Sequence, residues 1–341
     1  MLYYLCLLEM ILVLILAKAM LALMIGFILA IISGVILIPL FRKRKVGQQV
    51  SLFVKKHLDK QGIPTMGGFI FIIPTVLTIG ILLLTKKLEW SNNLFIILFV
   101  FLSYALLGFI DDYLKIKRGN NSGLKETTKF FLQLLIAMVF FYIYLKSGHD
   151  AELYIHTLGI RFEMGWLYGF FILFILVASS NAVNITDGLD GLAGGLSLIA
   201  FLALGLISWN SVWIVGHEEI AVFCFILVGS LLGYLFFNTH PAKIIMGDTG
   251  SLALGATMAS IAVLTKHEIT FIIIAGVFIL ETLTVIIQWL SIYITGKKVF
   301  LMAPLHHHFE KLGWEESDIV KAFWVLGILL AMAAVLFAVW I

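Results

Sequence analysis

An all-α polytopic membrane protein of about ten transmembrane helices is predicted from three features of this chain. Hydrophobic residues make up 62% of its 341 positions and charged residues 13%, about half the charged share of a soluble domain. Uncharged apolar stretches of 16 to 26 residues recur from end to end, each close to the roughly 20 residues that cross a hydrocarbon core. No segment of soluble-domain size remains between them, so residues 1–341 read as one integral-membrane domain.

In order, the expected spans are Met20–Phe41, Gly67–Leu84, Leu94–Ile110, Phe130–Leu145, Met164–Val183, Gly191–Trp209, Ile220–Phe237, Gly250–Thr265, Ile269–Ile294 and Ile319–Ile341. The apolar piece before Lys18 is an interfacial helix or an extension of the first span. Its Glu9 and the want of a basic leader argue against a cleaved signal peptide. Ten spans place both termini on one face. Of the 23 Lys and Arg residues, 17 fall in one set of alternate connections and 6 in the other, so the richer face is cytoplasmic and both termini lie outside. On the outer face, the alternation within Lys146–Glu163 predicts a small hairpin. Cys6 and Cys224 sit in apolar segments and offer neither a disulfide framework nor metal-type spacing.

Polar residues collect in five islands on the basic face. The first runs from Arg42 through Lys60 to Pro64-Thr-Met-Gly-Gly; its basic run fixes topology, while glycines at a span entrance let backbone N–H groups approach an anion. The second holds Asp111 and Asp112, where an apolar run stops on two adjacent carboxylates, followed by Lys115, Lys125 and Lys129. Paired carboxylates repel one another, and a divalent cation or ammonium groups relieve them. The alternative is a helix that simply ends in water. The third, Asn184-Ile-Thr-Asp-Gly-Leu-Asp-Gly-Leu-Ala-Gly-Gly, places Asp187 and Asp190 on one face if helical; if it is a turn, it frees N–H donors instead. The fourth, Phe237 to Ser251, sets Asn238 near its start and Asp248 between glycines at a span entrance, as a hard-oxygen Mg²⁺ ligand or as an N-cap. The fifth contains His306, His307 and His308, three imidazoles that cannot all point one way, so a zinc site from the triplet alone is not expected. Glu281, a carboxylate deep in a span, shares a helix face with Gln288 and reads as a polar helix–helix contact.

Taken together, the islands resemble those of the phospho-N-acetylmuramoyl-pentapeptide transferases, within the wider polyprenyl-phosphate N-acetylhexosamine-1-phosphate transferase superfamily. The likeness covers nearly the full length. It rests on Pro64-Thr-Met-Gly-Gly, Asp111-Asp112-Tyr113, Asn184-Ile-Thr-Asp-Gly-Leu-Asp-Gly-Leu-Ala, Met246-Gly-Asp-Thr-Gly-Ser-Leu-Ala, Glu281-Thr-Leu-Thr-Val-Ile-Ile-Gln and Ala303-Pro-Leu-His-His-His-Phe-Glu. It implies Mg²⁺-dependent transfer of phospho-N-acetylmuramoyl-pentapeptide from its UDP-linked form to undecaprenyl phosphate, giving lipid I and UMP for peptidoglycan, cell shape and division. It implies ten spans in the bacterial inner membrane, a cytoplasmic site and a homodimer open to nucleoside inhibitors, with no nucleic-acid partner. By the same likeness, Asp248 is the metal ligand, and Asp111 and Asp112 are the essential pair. His307 and His308 are functional histidines, and Lys60, Thr65, Lys115, Lys129, Asn184, Asp187, Asp190, Asn238 and His306 contact substrate. The chain departs from the family pattern at Val50-Ser-Leu-Phe-Val and at Ile245, where many members carry an aromatic.

The expected chemistry is phosphoryl transfer by direct attack of the lipid phosphate, with an aspartyl-phosphate route also open. A sister transferase using UDP-N-acetylglucosamine would share the aspartates. A transporter would need ionisable groups at the midplane of several spans, where this chain has Glu281.

Overall fold

The computed structural model describes residues 2–44, 62–120, 122–155, 158–209 and 217–339, with side chains from residue 17 onward. Lys60, and the departure at residues 50–54, lie outside them. Among the described residues are twelve helices and one hairpin. In chain order they are α1 (Leu2–Lys43), α2 (Phe69–Leu84), α3 (Asn92–Arg118), α4 (Glu126–Lys146), β1 (Glu152–Ile155), β2 (Ile160–Glu163), α5 (Trp166–Thr186) and α6 (Leu192–Trp209). There follow α7 (Glu218–Asn238), α8 (Asp248–Leu264), α9 (Glu268–Ile274), α10 (Gly276–Thr295), α11 (Leu305–Lys311) and α12 (Glu316–Val339). Eight of them are long and apolar enough to cross a membrane, and α2 and α8 are shorter apolar helices. With α9 and α10 counted as one span, these are the ten expected. The piece before Lys18 continues α1 as one helix.

Helix α8 is the axis of the bundle. Every residue from Asp248 to Leu264 is buried, as befits a helix that is apolar on all sides, and α3, α5 and α6 pack around it. Close approach depends on small residues. A Cβ at Gly108 of α3 would run into the Asp248 carbonyl, and one at Gly255 into the Ser179 carbonyl of α5. Likewise Gly229 and Gly233 of α7 face Leu23 and Ala30 of α1, the small-residue spacing that draws membrane helices together by van der Waals contact.

Two expectations about helix ends are corrected. The apolar run of α3 stops at Asp111, but the helix continues to Arg118 and ends at Gly119, whose φ of 62° suits a left-handed cap. The predicted span Ile269–Ile294 is divided at Ala275 (φ −81°, ψ 6°). There Gly276 admits Leu330 of α12, whose side chain lies where a Cβ would stand.

On the outer face, β1 and β2 pair antiparallel, with Leu153 opposite Phe162. Lys266 pins this hairpin by donating to the Asp150 and Glu152 carbonyls (2.6 and 2.9 Å), with its ammonium over the Tyr144 and Tyr168 rings. His217, 7% exposed before α7, is held down to about 4 by desolvation and then by His149. Its folded pKa lies below the unfolded value near 6.5, so its contribution to stability is complete above pH 6.5 and is lost as pH falls toward 4. Thermal unfolding of purified protein is expected to show a loss on the order of 2 kcal/mol between pH 7 and pH 5 from this group. His217→Gln should make the slope shallower, and an unchanged slope would remove the assignment.

Candidate active site

The basic-face end of α3 brings Asp111 and Asp112 against the N-terminus of α8, and the three carboxylates of Asp111, Asp112 and Asp248 offer oxygens within 4.8 Å of one another. All three are buried: 3%, 2% and 8% exposed. Each has a different task. Asp112 caps α8 from outside that helix: Oδ1 accepts the Asp248 N–H (3.1 Å), and Oδ2 accepts the Thr249 N–H and hydroxyl (2.9 and 2.7 Å). A carboxylate there meets the unpaired N–H groups and the positive end of the helix dipole. Gly247 leaves room for it, since a Cβ would stand 2.5 Å from Asp112 Oδ2 and 2.9 Å from Thr65 Oγ1.

Relieved of capping, Asp248 turns its carboxylate to the site. Lys129 donates to Oδ2 (2.6 Å), Lys115 lies 3.2 Å from Oδ1, and Asn184 donates to Oδ1 (2.9 Å) while holding Ser251. The N-cap alternative for Asp248 is therefore corrected, because the cap is Asp112. Asp111 pairs with Lys115 (2.7 Å) and accepts the Leu124 N–H (2.8 Å). Gly123 passes so close to Asp111 that a side chain there would displace the carboxylate, and Arg118 fastens this loop through the Ser122 and Gly123 carbonyls.

The other islands join the same centre. Pro64-Thr-Met-Gly-Gly pairs with the strand-like approach to Asp248: Ile245 N–H to Pro64 O (2.8 Å), Gly67 N–H to Ile245 O (2.8 Å) and Gly68 N–H to Met246 O (3.0 Å). Thr65, 8% exposed, thus reaches Gly247.

Asp187 and Asp190 do not share a face, because α5 ends at Thr186 and they lie in the turn after it. Desolvation first, then the like charges of Asp248 and Asp112, push the Asp187 carboxyl up to about 8. Asp190 turns away to accept the Ala242 N–H (3.0 Å) and to pair with His240 (3.2 Å), near Glu316. Asn238 is engaged at both ends of its amide, by the Gly191 N–H and the Ile244 carbonyl, and so ties the turn to the fourth island.

The three histidines diverge. His306, buried, meets Glu281. His307 meets Glu310 (2.6 Å), and His308 accepts the Leu301 N–H (3.1 Å). Glu281 and Gln288 share a face but do not contact each other: Glu281 holds His306, and Gln288 holds the Val299 and Phe300 backbone.

Beside the polar centre, α5, α9 and α10 enclose an apolar groove of about 390 Å³ that runs from Phe171 and Phe271 to Val183 and Ile286. Val183, at one end of the groove, lies next along α5 to Asn184, which donates to Asp248. Oxygen-only acidic donors of this kind fit a hard divalent cation such as Mg²⁺.

The chain matches the model of glycosyl transferase family 4 over residues 94–266. It is 46% identical over 321 residues to the phospho-N-acetylmuramoyl-pentapeptide-transferase of Geobacillus thermodenitrificans (strain NG80-2), covering 94% of this chain and 98% of that protein. The Bacillus subtilis (strain 168) protein of the same name is 44% identical over 317 residues, 93% of this chain and 96% of its own.

Proposed function

Because this chain belongs to the phospho-N-acetylmuramoyl-pentapeptide-transferase family, and is therefore a transferase of peptidoglycan synthesis, we propose that it makes lipid I. In this reading it moves phospho-N-acetylmuramoyl-pentapeptide from its UDP-linked form to undecaprenyl phosphate on the cytoplasmic side of the bacterial inner membrane, releasing UMP. The supporting observation is the junction of three carboxylates and two ammonium groups, tied through Asn184 to the helix that lines an apolar groove.

An isoprenoid chain lying along α5 from Phe171 to Val183 delivers its phosphate beside Asn184, and hence beside Asp248. Lys115 and Lys129 draw the phosphate oxygens in and balance their charge. The acceptor phosphate is already largely ionised near neutral pH, so Asp111 orients it more than it deprotonates it. An acceptor oxygen bonds to the β-phosphorus as the bond to the α-phosphate oxygen breaks, and UMP leaves with that electron pair. Asp248, with Asp111 and Asp112 alongside, would hold Mg²⁺, which would supply charge neutralisation on the diphosphate. Asp112 contributes chiefly by fixing the start of α8. The Asp187–Asp190 turn and Thr65 receive the nucleotide, the pocket in which nucleoside inhibitors would compete. On the family likeness, His307 and His308 are assigned to phosphate contact through the ring nitrogens not engaged by Glu310 and Leu301, and a homodimer belongs to the same reading.

UMP release measured with UDP-N-acetylmuramoyl-pentapeptide and with UDP-N-acetylglucosamine, each with and without undecaprenyl phosphate, tests it. Release is expected only with the muramoyl donor and only with the lipid. Release from UDP-N-acetylglucosamine alone would make this the sister transferase. Labelled phosphate trapped on the enzyme without lipid would replace direct attack by the aspartyl-phosphate route.

A further inference from the structure

Glu281 is a carboxylate with no exposed surface inside α10, and its charge is not met by a lysine or arginine in the contacts the structure gives it. Desolvating such a group costs several kcal/mol unless hydrogen bonds return it. Those bonds come from one residue. His306 donates its backbone N–H to the two oxygens (3.2 and 3.4 Å) and its Nδ1–H to Oε2 (3.1 Å). A carboxylate on Nδ1 fixes the ring's tautomer and orientation and turns Nε2 to the opposite side. Among the described residues the buried Nε2 has no hydrogen-bond partner, and it fills the space beside Gly188, where an added Cβ would fall well inside van der Waals contact of it. Gly188 follows Asp187 in the short turn that joins α5 to α6.

We propose, building on the reading above, that Glu281 is a positioning residue: it locks His306 as a strut beneath Gly188 and thereby sets the Asp187–Asp190 turn that receives the donor nucleotide. The adjoining side of α10, through Phe278, Ile279 and Thr282, lines the apolar groove. One helix therefore carries both the acceptor's wall and the support of the donor's turn.

The test is a split of kinetic constants. Glu281→Ala is expected to raise KM for UDP-N-acetylmuramoyl-pentapeptide at least tenfold while changing KM for undecaprenyl phosphate less than threefold. Glu281→Gln, whose amide oxygen still accepts the His306 N–H, falls between. A merely structural loss lowers the amount of active enzyme and leaves donor KM unchanged, and that result overturns the proposal.

Should Glu281→Ala fail to fold, a cycle of Gly188→Ala and His306→Ala decides. Gly188→Ala alone raises donor KM about tenfold by intruding on Nε2, and in the His306→Ala background it adds less than threefold. Additive effects overturn the strut. Affinity for UDP, measured by calorimetry on the same variants, reports on the turn even if wild-type enzyme fails to transfer from this donor. A failed functional reading is thus separable from a failed strut.

Discussion

Replacing Asp248 by Asn is expected to lower transfer to undecaprenyl phosphate by about a thousandfold or more at any Mg²⁺ concentration, with the protein still folded. The amide keeps the volume of the carboxylate and an oxygen to accept from Asn184, but it lacks the charge that balances Lys115 at 3.2 Å and Lys129 at 2.6 Å. Two ammonium groups then lie close to a neutral side chain, and the hard-oxygen set is reduced from three carboxylates to two. The loss should fall on kcat with the chromatographic profile unchanged. Activity within tenfold of wild type would show that Asp248 is not the metal-bearing centre.

The second large effect is expected at Asp112, and it joins stability to activity. Alanine there removes the acceptor of three hydrogen bonds at the start of α8 and leaves two buried backbone donors without a partner. Capping losses run near 1 kcal/mol, and buried donors left unpaired add about 1 to 3 kcal/mol. Asp112→Ala should therefore destabilise the protein by about 3 kcal/mol and abolish transfer. Asp112→Asn, which keeps one acceptor oxygen, should recover much of the thermal stability and little activity. Equal thermal midpoints for wild type and Asp112→Ala would contradict the cap. Asp111→Ala gives the contrast: its carboxylate holds Leu124 and Lys115 but no helix terminus, so activity should fall with a smaller change in stability.

Much of this architecture is legible in the residues because a bilayer leaves few options. Apolar runs of spanning length have to be helices, and the sorting of 17 basic residues to one side orders the loops. The five islands were visible for the same reason: carboxylates and glycines crowded into span junctions have no bland explanation as a set. What the sequence hid lies in tertiary pairing. Asp111-Asp112 looked like the end of a helix, since the hydrophobicity stops there, but capping by Gly119 carries α3 two turns further. The capping preference of aspartate pointed to Asp248, whereas the cap comes from Asp112, 136 residues earlier in the chain. Spacing puts Asp187 and Asp190 on one face only in a helix, and the structure has the other alternative, a turn after α5 in which they do not share a face. The charge of Glu281 inside a span was the signal for His306, and only the fold of α11 back onto α10 reveals the pairing. The division at Ala275 had one cue, the following glycine, whose open side is filled by Leu330 of another helix.

The most direct measurement is cation binding itself, made by titrating purified protein with Mn²⁺ and following the free ion by electron paramagnetic resonance. One site per chain is expected in wild type, displaced by Mg²⁺ and lost in Asp248→Asn. Undiminished binding in Asp248→Asn and in Asp112→Ala would mean that the carboxylates gathered at the head of α8 are not where the ion, and therefore the transfer, resides.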